Sequence, residues 1–150
     1  MSCQFKVLTT GDHDWIEQAI AIEQAAFAEG GMNHWFLVPF IRHGQVFVLV
    51  KDNRVVAVSE YMRDFNDLKL AYLFGFAVAE AYRGQGLGTH LLTKSHEHLK
   101  TQGFSKISLT VKPNNQVGLR LYEKFGFVKE AFYPNEYGEG EDRLLLTLHL

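Results

Sequence analysis

The stretch KLAYLFGFAVAEAYRGQGLGTHLL, residues 69–92, joins two patterns that decide the fold. Residues 69–79 are apolar almost throughout, as in a strand buried on both faces and set centrally in a sheet that helices cover. Gly75 interrupts the run, where a glycine marks a bulge or a close backbone approach. Gly84, Gly86 and Gly88 follow within five positions, and a helix is expected from about Gly88 to Thr101, with Leu91, Leu92 and Leu99 inward. A glycine-rich turn between a buried strand and a helix start presents backbone N–H groups where the helix dipole is positive. Phosphate groups bind such donors, and side chains there would hold them off.

Outward from that stretch, residues 5–10 (FKVLTT) alternate as a strand does, and TGDHD supplies capping residues for a helix carrying Trp15, Ile16, Ala19, Ile20, Ile22 and Phe27 at helical spacing. Gly30 and Gly31 end it. NHWFLVPFIRHG (33–44) reads as a second short helix, interrupted at Pro39. Two β-rich runs flanking Asp52-Asn53 read as a tight hairpin. Beyond residue 103, SKISLTV is a strand, NQVGLRLYEKFG a helix with Gly126 as left-handed cap, and FVKEAFY and RLLLTLHL two strands joined by the polar loop PNEYGEGED. The order β-α-α-β-β-β-α-β-α-β-β indicates a mixed α/β sheet in one domain, residues 1–150.

Composition narrows the function. The chain has 150 residues, 47% of them hydrophobic, with a net charge of −2, which gives a core of useful size and no basic patch for nucleic acid or anionic lipid. The single cysteine, Cys3, cannot form an internal disulfide, which fits a reducing compartment. The opening residues carry no signal-peptide pattern, so none is expected, and no run is long enough to span a bilayer. The expectation is a soluble cytoplasmic protein that contacts neither membrane nor nucleic acid.

Three phosphate-binding patterns compete for the glycine loop. A nucleotide triphosphatase loop needs a lysine before Thr89, and there is none. A dinucleotide loop of the form G-x-G-x-x-G fails at its third glycine, where Thr89 stands, and lacks the acidic residue about twenty positions on. The remaining pattern, R-x-x-G-x-G, is met by Arg83, Gly86 and Gly88.

With that pattern, FAVAEAYRGQGLGTHLL resembles the pyrophosphate-binding motif of the GNAT N-acetyltransferase superfamily, and VKPNNQVGLRLYEKFGFVKE is similar to the strand, helix and following strand start of the same family. The resemblance covers nearly the whole chain. It implies a mostly antiparallel sheet with a central splayed parallel pair, flanked by helices. It also implies direct transfer of an acetyl group from acetyl-CoA to a primary amine in a ternary complex. The backbone of Gly84, Gln85, Gly86, Leu87, Gly88 and Thr89, beside Arg83, would bind the coenzyme pyrophosphate. Phe76 and Val78 would offer main-chain groups to the pantetheine arm, and Asn115 would touch the coenzyme near a helix start. Tyr122 matches the tyrosine that serves the leaving thiolate as general acid. Gly118 stands where the family commonly has alanine.

A free alkylamine is deprotonated to only about one part in a thousand at neutral pH, so a base is required. Many members carry a glutamate at positions that here hold Tyr72 and Thr110, neither a good base. Glu60 is the best carboxylate, acting directly or through water, although such a residue is more often a solvated strand end. His96 and His98 face different ways on a helix, and no zinc pattern exists, so no metal is expected.

The segment FYPNEYGEGEDRLLL resembles the branch of the family that acetylates protein N-termini and ribosomal-protein N-termini. Tyr133 and Tyr137 would border the acceptor, with Glu136, Glu139, Glu141 and Asp142 attracting a cationic amine; a solvated acidic turn is the plain alternative. Small amines (a polyamine, amino acid or antibiotic) stay open as acceptors, as does a non-catalytic acyl-CoA sensor. Both a monomer and a homodimer fit the sequence.

Overall fold

A computed structural model describes residues 2–150. The elements are β1 (Cys3–Val7), α1 (His13–Phe27), α2 (His34–His43), β2 (Gln45–Lys51), β3 (Arg54–Arg63), β4 (Leu70–Val78), α3 (Leu87–Thr101), β5 (Lys106–Val111), α4 (Gln116–Lys124), β6 (Val128–Tyr133) and β7 (Arg143–His149). Single 3₁₀ turns follow α1 at Ala28–Gly30 and β4 at Glu80–Tyr82. The hydrogen-bonded strand order is β1-β2-β3-β4-β5-β7-β6, and the element order is the expected one. The chain divides into two compact units, one holding the chain up to Met62 with Leu73–Leu99, the other Arg63–Tyr72 with Lys100–Leu150.

In the first unit β1, β2 and β3 pair antiparallel. Asp52 and Asn53 both take positive φ (52° and 62°), the twist-matched geometry of a two-residue hairpin turn. Val46, Val48, Val50 and Val58 form one apolar face. Ile16, Ala19 and Ile20 of α1, with Leu37 and Ile41 of α2, close over it. Burying each of the valine, leucine and isoleucine side chains among them contributes about 1.5–3 kcal/mol. Asp12 stands before α1, but its carboxylate accepts from the amide and hydroxyl of Thr9 and not from the helix. Asn33 does cap α2, taking the amides of Trp35 and Phe36.

Two expectations fail here. Pro39 does not interrupt α2, which runs on to His43; the proline removes only the bond to the carbonyl of Trp35, and Trp35 is 85% exposed, so water can serve that oxygen. Phe27 is not inward but 44% exposed, because α1 ends there and the chain turns into the 3₁₀ segment.

The strand β4 is also not buried on both faces. Ala71, Leu73 and Ala77 are buried, whereas Phe74 is 49% exposed. Its alternation breaks at mid-strand. Phe74 packs on Phe40 of α2 with ring centroids 5.2 Å apart, and the next residue, Gly75, also faces the helical layer, toward Glu23 of α1.

In the second unit β4 pairs parallel with β5 over three positions, Leu70 with Lys106, Ala71 with Ile107 and Tyr72 with Ser108. This is the expected parallel pair. β5 pairs antiparallel with β7, and β7 with β6.

Candidate active site

The three glycines of the loop in the first unit have two different causes. Gly84 and Gly86 have φ of 77° and 76°, and a Cβ on either would meet nothing within 4 Å. Their requirement is conformational, because the left-handed region costs an ordinary residue about 1–2 kcal/mol. Gly88 is needed for space, since a Cβ there would lie 3.0 Å from Cζ of Phe76 and 3.3 Å from Cγ2 of Val78. Its absence lets α3 start tight against β4. α3 runs fifteen residues from Leu87, so its first amides lack intrahelical acceptors and its dipole is positive at the loop. An open left-handed cradle of backbone donors is a shape and charge that a pyrophosphate fits.

Arg83 is not simply solvated, because its Nε donates to the carbonyl of Val78 at 3.1 Å, tying the loop back to β4. That bond occupies one of the main-chain groups expected to be free at Val78. Lys51, at the end of β2, reaches the same loop: its Nζ donates to Oε1 of Gln85 at 3.1 Å and stands 5.8 Å from the Tyr82 ring centroid. No local pattern singles it out, since in the sequence it looks like an ordinary hairpin lysine.

Glu60 departs from the solvated strand end. It has 0% exposure, Glu23 has 2%, and burial pushes the Glu60 carboxyl well above the usual carboxylate range, with the neighbouring Glu23 adding to the shift. Glu23 is raised as well, again chiefly by burial.

In the second unit Asn115 caps α4, its Oδ1 accepting from the Gly118 amide at 3.0 Å. Gly118 has a physical reason here: a Cβ would stand 2.8 Å from Nδ2 of Asn115. Tyr122, on α4, is half-buried and packs edge-on to Phe127 at 5.6 Å. Burial pushes its phenol up to about 12, so it keeps its proton throughout the neutral range.

Tyr137 belongs to a hydroxyl chain. The Tyr72 hydroxyl lies 2.9 Å from Oγ1 of Thr110, which is 3.5 Å from the hydroxyl of Tyr137. Burial raises Tyr72 to about 12. Arg143 stands over the Tyr137 ring at 4.6 Å, and Tyr133, half-buried, pairs with Arg143 in the β6–β7 register. Part of the acidic loop is already engaged. Glu141 lies 3.5 Å from Arg143 and 4.0 Å from Lys112, and Oδ1 of Asp142 accepts from the Asn135 amide. Among the described residues no group of three or more His, Cys, Asp or Glu could hold a metal ion, and no helix is long and apolar enough to cross a membrane.

A sequence profile of the Acetyltransferase (GNAT) family matches residues 13–127. The chain belongs to the GNAT acetyltransferase family. It is accordingly an acetyl-CoA-dependent N-acyltransferase. An N-alpha-acetyltransferase of Sulfolobus acidocaldarius is 28% identical over 98% of this chain and 92% of its own length. A ribosomal protein bS18-alanine N-acetyltransferase of Haemophilus ducreyi is 32% identical over 53% of this chain and 58% of its own. The crystal structure of the ribosomal-protein-S18-alanine N-acetyltransferase of Escherichia coli superposes with a TM-score of 0.81 at 26% identity, covering 99% of this chain and 94% of that one. The fold expected of a GNAT enzyme is therefore present from end to end.

Proposed function

We propose that this enzyme acetylates the α-amino group of protein N-termini, with Tyr122 serving the leaving sulfur and Glu60 taking the amine proton. The observation that carries the choice of acceptor is the end-to-end likeness to an N-alpha-acetyltransferase, joined by the likeness to enzymes that act on a ribosomal protein's alanine. The hydroxyl chain from Tyr72 through Thr110 supports it by fixing Tyr137 of the β6–β7 loop against β5, where an aromatic wall can border a peptide.

Acetyl-CoA supplies the activated acyl group as a thioester. The left-handed cradle at Gly84–Thr89 would hold its pyrophosphate, Phe76 and Val78 would flank the pantetheine, and Asn115 would lie near it. The amine nitrogen replaces sulfur on the acetyl carbon, so a C–N bond forms, the C–S bond breaks, and one amine proton must go to a base. Glu60 suits that role, because a carboxyl raised by burial holds a proton better than an exposed one. Tyr122 is matched differently. A phenol at about 12 is too weak an acid to give its proton outright to a thiolate whose thiol has a pKa of about 8.5. It therefore acts chiefly as a hydrogen-bond donor while charge builds on sulfur.

Coenzyme release from acetyl-CoA tests this with three acceptors: a peptide with a free N-terminus, the same peptide N-terminally blocked but carrying a lysine, and a polyamine. Release with the free N-terminus alone supports the proposal. Release only with the polyamine assigns the enzyme to small amines, and release with none of them favours the acyl-CoA sensor.

A further inference from the structure

Two acids lie inside the first unit where an apolar core would cost less. Glu23 projects from α1 one position after the core residue Ile22, and Glu60 from β3 two positions after the core residue Val58. Oε1 of Glu23 accepts from the Met32 amide at 3.2 Å. Among the described residues, neither oxygen of Glu60 nor Oε2 of Glu23 meets a hydrogen-bond donor. Both carboxyls converge on Gly75. A Cβ on Gly75 would overlap Oε1 of Glu60 and lie 3.1 Å from Oε2 of Glu23, so the missing side chain is what gives the acids their space.

Two ionised carboxylates offer each other no donor and repel. One shared proton satisfies both, since the O–H of one then donates to an oxygen of the other. Among the described residues, no cation acts on the pair. The groups acting on Glu60 are its burial and Glu23; those on Glu23 are its burial, Glu60 and the Met32 amide. On β4, Gly75 lies against both acids. Buried acids without a cationic partner are costly, which points to use and not to packing.

We propose that Glu23 is the positioning partner of Glu60: the two carboxyls hold one proton between them over Gly75, and this pair, not Glu60 alone, receives the proton of the acceptor amine. The inference rests on the reading of Glu60 as base. With one proton the pair carries a single negative charge. It takes one proton as the C–N bond forms, becomes neutral, and returns that proton to water after the amide leaves.

The test is the pH dependence of kcat for Glu23→Gln and Glu60→Gln in the full chain, with acetyl-CoA binding measured alongside. The Glu23→Gln substitution replaces the shared O–H with a weaker amide N–H as the donor to the Glu60 carboxylate. The acidic limb should therefore move up by about half a pH unit or more, with the KM for acetyl-CoA unchanged. Glu60→Gln should lose the limb and about 10²-fold in kcat. A Glu23→Gln limb that coincides with wild type, beside an impaired Glu60→Gln, overturns the pairing and leaves the base standing. A fully active Glu60→Gln removes the base and the pairing with it. Infrared spectroscopy of the wild-type protein at neutral pH decides the matter should Glu23→Gln fail to fold. A protonated-carboxyl band that Glu60→Gln abolishes is expected, and its absence in the wild type overturns the shared proton.

Discussion

Tyr72 and Thr110 hydrogen-bond to each other, hydroxyl to hydroxyl, at 2.9 Å. These are the two positions at which the family resemblance implies a glutamate in many members. Here neither can take a proton at neutral pH, because burial holds Tyr72 at about 12 and a threonine hydroxyl is no base. Their contact extends to Tyr137, so both positions serve to anchor the loop between β6 and β7, and the need for a base falls on another element.

The glycine loop gives the first expected outcome. A ligand at a hundred times its dissociation constant stabilises a fold by about 2.7 kcal/mol, so acetyl-CoA should raise the melting temperature of the wild type. Gly86→Val forces a β-branched residue to φ near 76° and places methyl groups among the amide donors. The variant should fold and show no acetyl-CoA shift. A shift equal to that of wild type would remove the loop from the coenzyme site.

Tyr122→Phe should lower kcat by about 10-fold to 10²-fold, the scale of one hydrogen bond to a charged group, with the dissociation constant for acetyl-CoA little changed. Because the phenol stays neutral until about 12, the wild-type enzyme should show no falling limb from this group between neutral pH and pH about 10. Equal losses in binding and turnover would make the residue a packing element against Phe127.

Much of this was legible in the sequence, for identifiable reasons. The strand, glycine loop and helix over residues 70–101 are local, whereas the separate reason for Gly88, its closeness to the Phe76 and Val78 side chains, is a packing contact with β4. The Asn115 cap needs only the helix start. By contrast, the Glu23–Glu60 contact depends on a helix, a strand and a glycine far apart in the chain, and nothing near Glu60 distinguishes it from a solvated glutamate. The continuity of α2 through Pro39 likewise turns on the exposure of the Trp35 carbonyl, which is a tertiary property. The exposed Phe74 was hidden because an apolar run reads the same whether one face or both are covered.

The buried acids set a stability trend with pH. A carboxyl that ionises at about 4.5 in the unfolded chain but only at higher pH in the fold binds more protons when folded, so stability falls as pH rises above that value. Glu60→Gln removes the titrating group. Its melting temperature relative to wild type should increase from mild acid toward pH about 8, while turnover drops. This pairing of gained stability with lost activity is expected where a strained site is functional. A difference in melting temperature that stays constant over that range would show that Glu60 is ionised in the fold as freely as outside it.

The acceptor loop gives the last and most discriminating outcome. Glu141 is held between Arg143 and Lys112 and Asp142 by the Asn135 amide, so their charge is partly engaged inside the loop. Attraction of a cationic amine then falls to Glu136 and Glu139, both exposed. Exposed carboxylates steer a cation over about 10 Å at moderate salt and fade beyond that. Glu139→Gln should therefore raise the KM for a peptide amine at low ionic strength, lose the effect at high ionic strength, and leave kcat alone. Glu141→Gln should act otherwise. It frees Arg143 from an ion pair at 3.5 Å beneath the Tyr137 ring, so its effect should persist at high salt and be shared by Tyr137→Phe, which breaks the link to Thr110. A peptide KM that matches wild type in both glutamate variants at low salt would make the loop solvated surface. A change confined to a polyamine acceptor would move the assignment to small amines.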